Sequence, residues 1–370
     1  MSAPLQLCDP RTAPTYGDGT ISRLCRRVLV DPRDEVFVRL TLRMVVVMGA
    51  LMTGLFFALH THDPRVPDAA KLGAMAAYLV AWGFLVPPVI LMLHNTMHRP
   101  FIRWPKLLGR AHPYAMSLLF GIPTGYREHH LGMHHAEDNM SGDLSSTICY
   151  RRDSFLHFLV YFSRFLFLGL FEVTAYLVRA RRYRMAWRLV GGELAHVLVI
   201  GAAMTLDLRF GLVAFLVPAL LCRFMMMVGN WGQHAFINTA IPNSGLSNSI
   251  TCINAKYNAR CFNDGYHIGH HLRASRHWTE LPGDLENSRD TYVREGAIVF
   301  FGVDFFMVSV LLWTGQWRVL ARRFVRLDGR ERSDESVIVM LRSRVAPVRV
   351  PAPARRGRNG AGSPAVPQGQ

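Results

Sequence analysis

Between Leu72 and Leu93 the chain runs through twenty-two residues without a single charge. As a helix that stretch is about 33 Å long, enough to cross a hydrocarbon core of about 30 Å. A water-soluble domain has no use for such a run, so it fixes a membrane-crossing helix before any other feature is read. Met44 to Leu59 is shorter, but Arg39 and Arg43 at its start can snorkel to the interface, and His60-Thr-His-Asp-Pro at its end reads as a turn. The two segments make a first transmembrane hairpin. Glu193 to Leu206 and Phe210 to Val228, on either side of Asp207-Leu208-Arg209, make a second.

Half of the residues are hydrophobic, although Arg-rich segments dilute the apolar stretches. A net charge of +16 raises the question of nucleic acid, but the arginines flank apolar spans instead of interleaving with stacking aromatics on a polar surface, which argues against that partner. They crowd the N-terminal segment, residues 99–188 and the C-terminal tail, while the hairpin turns carry few. The positive-inside rule therefore puts both termini on the cytoplasmic side of an inner or cytoplasmic membrane. The opening MSAPLQLCDPRTAPTYGDG is polar and Pro-rich and reads as no removable signal. Six cysteines without CxxC spacing fit a reducing face.

Histidines gather just outside these spans. The windows HNTMH, HHLGMHH and HIGHH hold nine of the sixteen in the chain, far above even scattering. His94 and His98 stand at i, i+4, as do His130 and His134 with His135 beside them, and His267, His270 and His271 at i, i+3, i+4, so a helix would present each set from one face. The return helices deliver His94 and His234 to the same side of the membrane, which makes one shared site. Neutral imidazole binds zinc, copper, iron or nickel. Eight or nine convergent rings exceed what one tetrahedral zinc needs and suit two metals. HNTMH is no zinc-peptidase motif, because Asn95 stands where that chemistry needs a general-base Glu.

Those three boxes, HxxxH at His94 and His98, HxxxHH at His130, His134 and His135, and HxxHH at His267, His270 and His271, resemble the membrane fatty acid desaturase and hydroxylase superfamily over roughly residues 40 to 285. The resemblance implies a non-haem di-iron centre that uses O2 as co-substrate to attack an unactivated C–H bond of a lipid acyl chain, with those eight histidines as ligands. His234, in NWGQHAF, matches an extra histidine that some members carry before the last box, and becomes a ninth. It implies desaturation, with a lipid or alkane hydroxylase as the alternative. A non-catalytic membrane metal-binding protein is the rival from another class, and a transporter would carry its ionisable residues at mid-span. No HPGG haem motif and no iron–sulfur spacing is present, so electrons would come from a separate ferredoxin, rubredoxin or cytochrome.

The expected architecture is thus all-α: a polytopic membrane protein with a four-span core of two hairpins and a cytoplasmic helical cap carrying a histidine-rich di-metal site. Its expected parts are an N-terminal cytoplasmic segment (1–38), the membrane domain (39–285), a C-terminal helical segment (286–345) and a disordered tail (346–370). Phe155 to Phe171 is expected to lie in the interface, since counting it as a crossing would separate the second and third boxes. Ala297 to Gly315 is read as interfacial or as one extra span, weakened by Asp304. His129, His277, His112, His157 and His196 are expected to be structural, and Asp264 and Asp138 are read either as carboxylates that orient ligand rings or as plain solvated charge.

Overall fold

The computed structural model describes residues 6–60 and 67–348. The turn expected at 61–64 and nearly all of the tail expected to be disordered lie outside the described residues. After a short amphipathic helix α1 (Thr20–Val28) come two long antiparallel helices, α2 (Glu35–His60) and α3 (Asp68–His98). Met44, Met48 and Leu55 of α2 and Trp82, Val86 and Val89 of α3 belong to one buried core. At 31 residues α3 is about 46 Å long, so its last turns emerge past the membrane core with His94 and His98 on them.

The polypeptide then returns through α4 (Lys106–Phe120) to a short composite helix. That helix is built from α5 (Tyr126–His129), a π-turn (His130–His134) and α6 (His135–Glu137). Three long helices in the next stretch are α7 (Phe155–Arg179), α8 (Tyr183–Leu206) and, after α9 (Leu208–Gly211) and a second π-turn, α10 (Val217–Gln233). The hairpin turn between α8 and α9 is set by Asp207, whose carboxylate accepts from Phe210 N at 2.9 Å.

Among the described residues five segments are long and apolar enough to cross a membrane, one more than the four expected: Pro32–His60, Asp68–His98, Phe155–Arg179, Tyr183–Leu206 and Leu208–Gln233. Geometry constrains how many do. His134 precedes α7 and His234 follows α10, yet their rings lie 5.4 Å apart, so the chain between them crosses an even number of times. Both ends of α7 lie at the level of the histidines. Near its start Phe158 and Tyr161 pack on Trp231, three residues before His234, and near its end Tyr176 donates to Glu137 at 2.6 Å. Helix α7 therefore leaves and returns on the site's side, and α8 with α10 makes the second hairpin.

Beyond His234 the chain builds a cap. It contains β1 (Ile250–Ile253), α11 (Lys256–Arg260), α12 (His267–Leu272), α13 (Leu281–Asn287), α14 (Arg289–Glu295) and β2 (Ile298–Phe301). It ends in α15 (Phe305–Trp313), α16 (Trp317–Arg323) and α17 (Asp334–Ser343). The parallel pair β1–β2 is the one sheet among the described residues of an otherwise mostly helical chain. No extra span forms at 297–315: that run divides into β2 and the nine-residue α15, about 14 Å long and too short to cross. Asp304, which looked out of place in an apolar run, caps α15 by accepting from Met307 N at 2.8 Å. The fully buried Arg152 ties cap to core, donating to the carbonyls of Ile148, Ala235, Arg344 and Ala346.

Candidate metal centre

Each histidine reaches the centre by a different local device. His94 and His98 use the plain one-turn spacing of α3, and His234 ends α10 as its C-cap. The second box departs from the i, i+4 expectation. Its π-turn holds more residues per turn than an α-turn, so residues five apart share a face. His130 and His135 consequently point to one place, with Nε2 atoms 3.1 Å apart, while His134 turns elsewhere. On α12 the box also divides: His267 and His271 stay together, Nε2 to Nε2 at 3.0 Å, and His270 faces His94 at 2.9 Å and His135 at 3.2 Å.

The nine rings thus form two adjoining groups. His94, His98, His130, His135 and His270 make one, and His134, His234, His267 and His271 the other, the donor atoms within each group lying within 4.8 Å of one another. The groups meet where His135 and His271 stack at 4.8 Å. Every member is buried or nearly so.

Such crowding has a specific chemical meaning. His271 Nδ1 lies 2.9 Å from an Asp138 carboxylate oxygen and His134 Nδ1 lies 2.7 Å from Asp143, while His234 Nδ1 faces the Asn248 carbonyl at 2.8 Å. Each of those partners accepts, so Nδ1 carries a proton and Nε2 is the nitrogen left to bind a metal. Where both nitrogens are unprotonated, lone pairs at about 3 Å repel unless a cation lies between them. Two nitrogens at about 2.1 Å from one metal and at right angles to each other stand about 3 Å apart, which is the spacing observed. The donor set therefore fits two metal ions.

Electrostatics points the same way. Burial, reinforced by neighbouring imidazoles, pushes His130, His135, His267 and His270 well below the ordinary imidazole range and His234 down to about 3, so these rings remain neutral and ligand-ready. For His134 burial pulls the same way, but the charge and hydrogen bond of Asp143 outweigh it and raise the ring.

Of the two carboxylates left open between ring orientation and solvated charge, Asp138 stands 2.9 Å from His271 Nδ1 and Asp264 3.5 Å from His94 Nδ1. Asp143 was not anticipated. It lies in a polar loop, nine residues past the ring it holds, and only the loop's fold brings it back; its signal in the sequence was no more than a carboxylate in SGDLSST. Ser145 N and Oγ, both at 2.8 Å, fix its orientation. Histidines outside the groups make local bonds instead: His112 with Thr41, His157 with Arg151 N, His277 with Thr279. His129 sits 3.7 Å from Asp143, and His196 is buried in α8 without a hydrogen bond.

Comparison with protein-family models finds a match to the model described as Fatty acid desaturase, over residues 69–302. A search of curated proteins finds no match. The family match covers more than half of the chain and runs from the start of α3 through all three histidine boxes to the end of β2. On that match and the paired histidine groups it encloses, the chain belongs to the fatty acid desaturase family.

Proposed function

We propose that this protein is a membrane-bound non-haem di-iron oxidoreductase that removes two hydrogens from a lipid acyl chain at the expense of O2. The observation that carries this reading is the division of nine buried or partly buried imidazoles into a five-ring and a four-ring group with Nε2 atoms about 3 Å apart. In this reading His94, His98, His130, His135 and His270 hold one iron and His134, His234, His267 and His271 the other. Bound iron would supply O2 activation and the oxidising power to break an unactivated C–H bond.

The chain's own residues contribute position and exclusion. Asp138, Asp143 and the Asn248 carbonyl hold three rings in the tautomer that leaves Nε2 free. Burial keeps water from competing with a substrate that offers neither charge nor hydrogen bond to grip. Full reduction of one O2 to two waters takes four electrons. The new double bond releases two, so the other two come from a separate carrier, and a ferredoxin, rubredoxin or cytochrome would meet that need. The excess of arginine outside the spans favours a cytoplasmic site and termini.

Mass spectrometry of lipids from a host expressing the protein with a compatible electron donor tests the reading. Acyl chains lighter by two hydrogens, and absent when His270→Ala replaces the wild type, are expected. Chains heavier by one oxygen and no new double bond would make it a hydroxylase on the same site.

A further inference from the structure

The N-terminal segment returns to the third box across some 250 residues of sequence. Residues 6–11 lie against the loop that launches α12. Asn254 Nδ2 donates to Gln6 O at 2.7 Å, Cys8 N to Asn254 Oδ1 at 2.7 Å, and Asn263 Nδ2 to Pro10 O at 2.7 Å. At the centre is Asp9, only 6% exposed. Its Oδ2 accepts from Asn254 N at 2.6 Å and from the Tyr266 hydroxyl at 2.7 Å, and its Oδ1 accepts from Asn258 Nδ2 at 3.1 Å.

Each of those donors leads toward the histidines. Tyr266 directly precedes His267, is buried, and its carbonyl accepts from His270 N at 3.0 Å. Asn258 spends its remaining bonds on Cys252 O at 2.9 Å and Gly265 N at 3.1 Å. Gly265 is pressed so closely between Cys252 and Asn258 that it has no room for a Cβ. Three residues of this loop, Asn254, Phe262 and Asn263, also hold a left-handed backbone, with φ of 53° in each, a conformation that needs support from its surroundings. A buried carboxylate that collects three neutral donors supplies such support, because it can be satisfied only when all three are in place.

The geometry points to Asp9 as a positioning residue for the metal centre, contributed by a segment outside the family-matched region 69–302. The inference rests on the two-metal reading above. Its effect should be unequal, because α12 supplies two of the four rings in the four-ring group, His267 and His271, and one of the five in the other, His270. Loosening α12 therefore weakens the four-ring metal first.

Cobalt(II) titrated into metal-stripped, full-length protein in lipid nanodiscs reads this out by stoichiometry and absorption. Wild type should take up two equivalents. Asp9→Asn sets an amide against the Asn258 amide and should weaken one equivalent about tenfold, within the range for removal of an outer-shell partner, and leave the other unchanged. Tyr266→Phe should weaken the same equivalent, and the double variant should fall short of the sum. Arg11→Ala, which cuts the neighbouring exposed ion pair with Glu286, should bind as wild type. Unchanged binding in Asp9→Asn, equal loss of both metals, or an equal effect from Arg11→Ala overturns the assignment. Hydrogen exchange of residues 254–271 in the metal-free protein keeps the two readings separable. If wild type takes up fewer than two equivalents the two-metal reading fails, and faster exchange there in Asp9→Asn still upholds the positioning role of Asp9 while unchanged exchange refutes it.

Discussion

His134 and His135 are neighbours in the chain and belong to different histidine groups: His135 Nε2 lies 3.1 Å from His130, while His134 is drawn toward Asp143, its Nδ1 2.7 Å from the carboxylate. The π-turn makes this division possible, since an α-turn would have kept His130 with His134. Two adjacent residues can then serve two ions.

It follows that His135→Ala and His134→Ala should not be equivalent. Each should lower occupancy toward about one metal per chain, but of different ions. Cobalt spectra of the two variants should therefore differ, and identical spectra would count against two separate groups.

Asp143→Asn should weaken metal binding by about 10–100-fold with little change in the fold, because it removes the acceptor that fixes the His134 tautomer. His129→Ala should do much less, its ring being 3.7 Å from the same carboxylate and in neither group. Competition with a chelator of known affinity measures both.

Much of this was legible in advance. The boxes named eight of the nine rings and the end of the second return helix named the ninth, because histidine spacing and span length are both periodic quantities that the sequence carries. What was not legible is non-periodic. Nothing in HHLGMHH announces a π-turn, and nothing ties Asp143 to His134 or Asp9 to Tyr266 until loops fold back. The apolar run at 297–315 stayed ambiguous for a related reason: hydropathy counts residues, whereas Gly302 at positive φ and the Asp304 cap divide that run into a strand and a short helix.

The metal-free protein should lose stability in acid. Rings whose folded pKa lies below the unfolded value of about 6.5, His130, His135, His234, His267, His270 and His271, bind protons more readily when unfolded. Their contribution is present above about pH 6.5 and is lost as pH falls toward the folded values, at up to about 1.4 kcal/mol per pH unit for each ring. Thermal unfolding of metal-stripped protein between pH 8 and pH 5 should show Tm falling with pH, about level above 7 and steepening below 6.5. Bound metal should raise Tm but leave the profile at least as steep, because metal-held rings take up no protons either.

Topology is testable with the chain's own thiols. Cys8 and Cys149 are exposed on the side of the histidines, and the other four cysteines are buried. An impermeant maleimide should label Cys8 and Cys149 only after lysis, whereas Leu208→Cys at the far hairpin turn should react in intact cells. Labelling of Cys149 from outside would invert the proposed orientation.

The two-iron site itself is tested most directly by elemental analysis of wild-type protein purified in detergent from iron-replete cells. About two irons per chain are expected from the five-ring and four-ring groups. One zinc and no iron, recovered consistently, would contradict it.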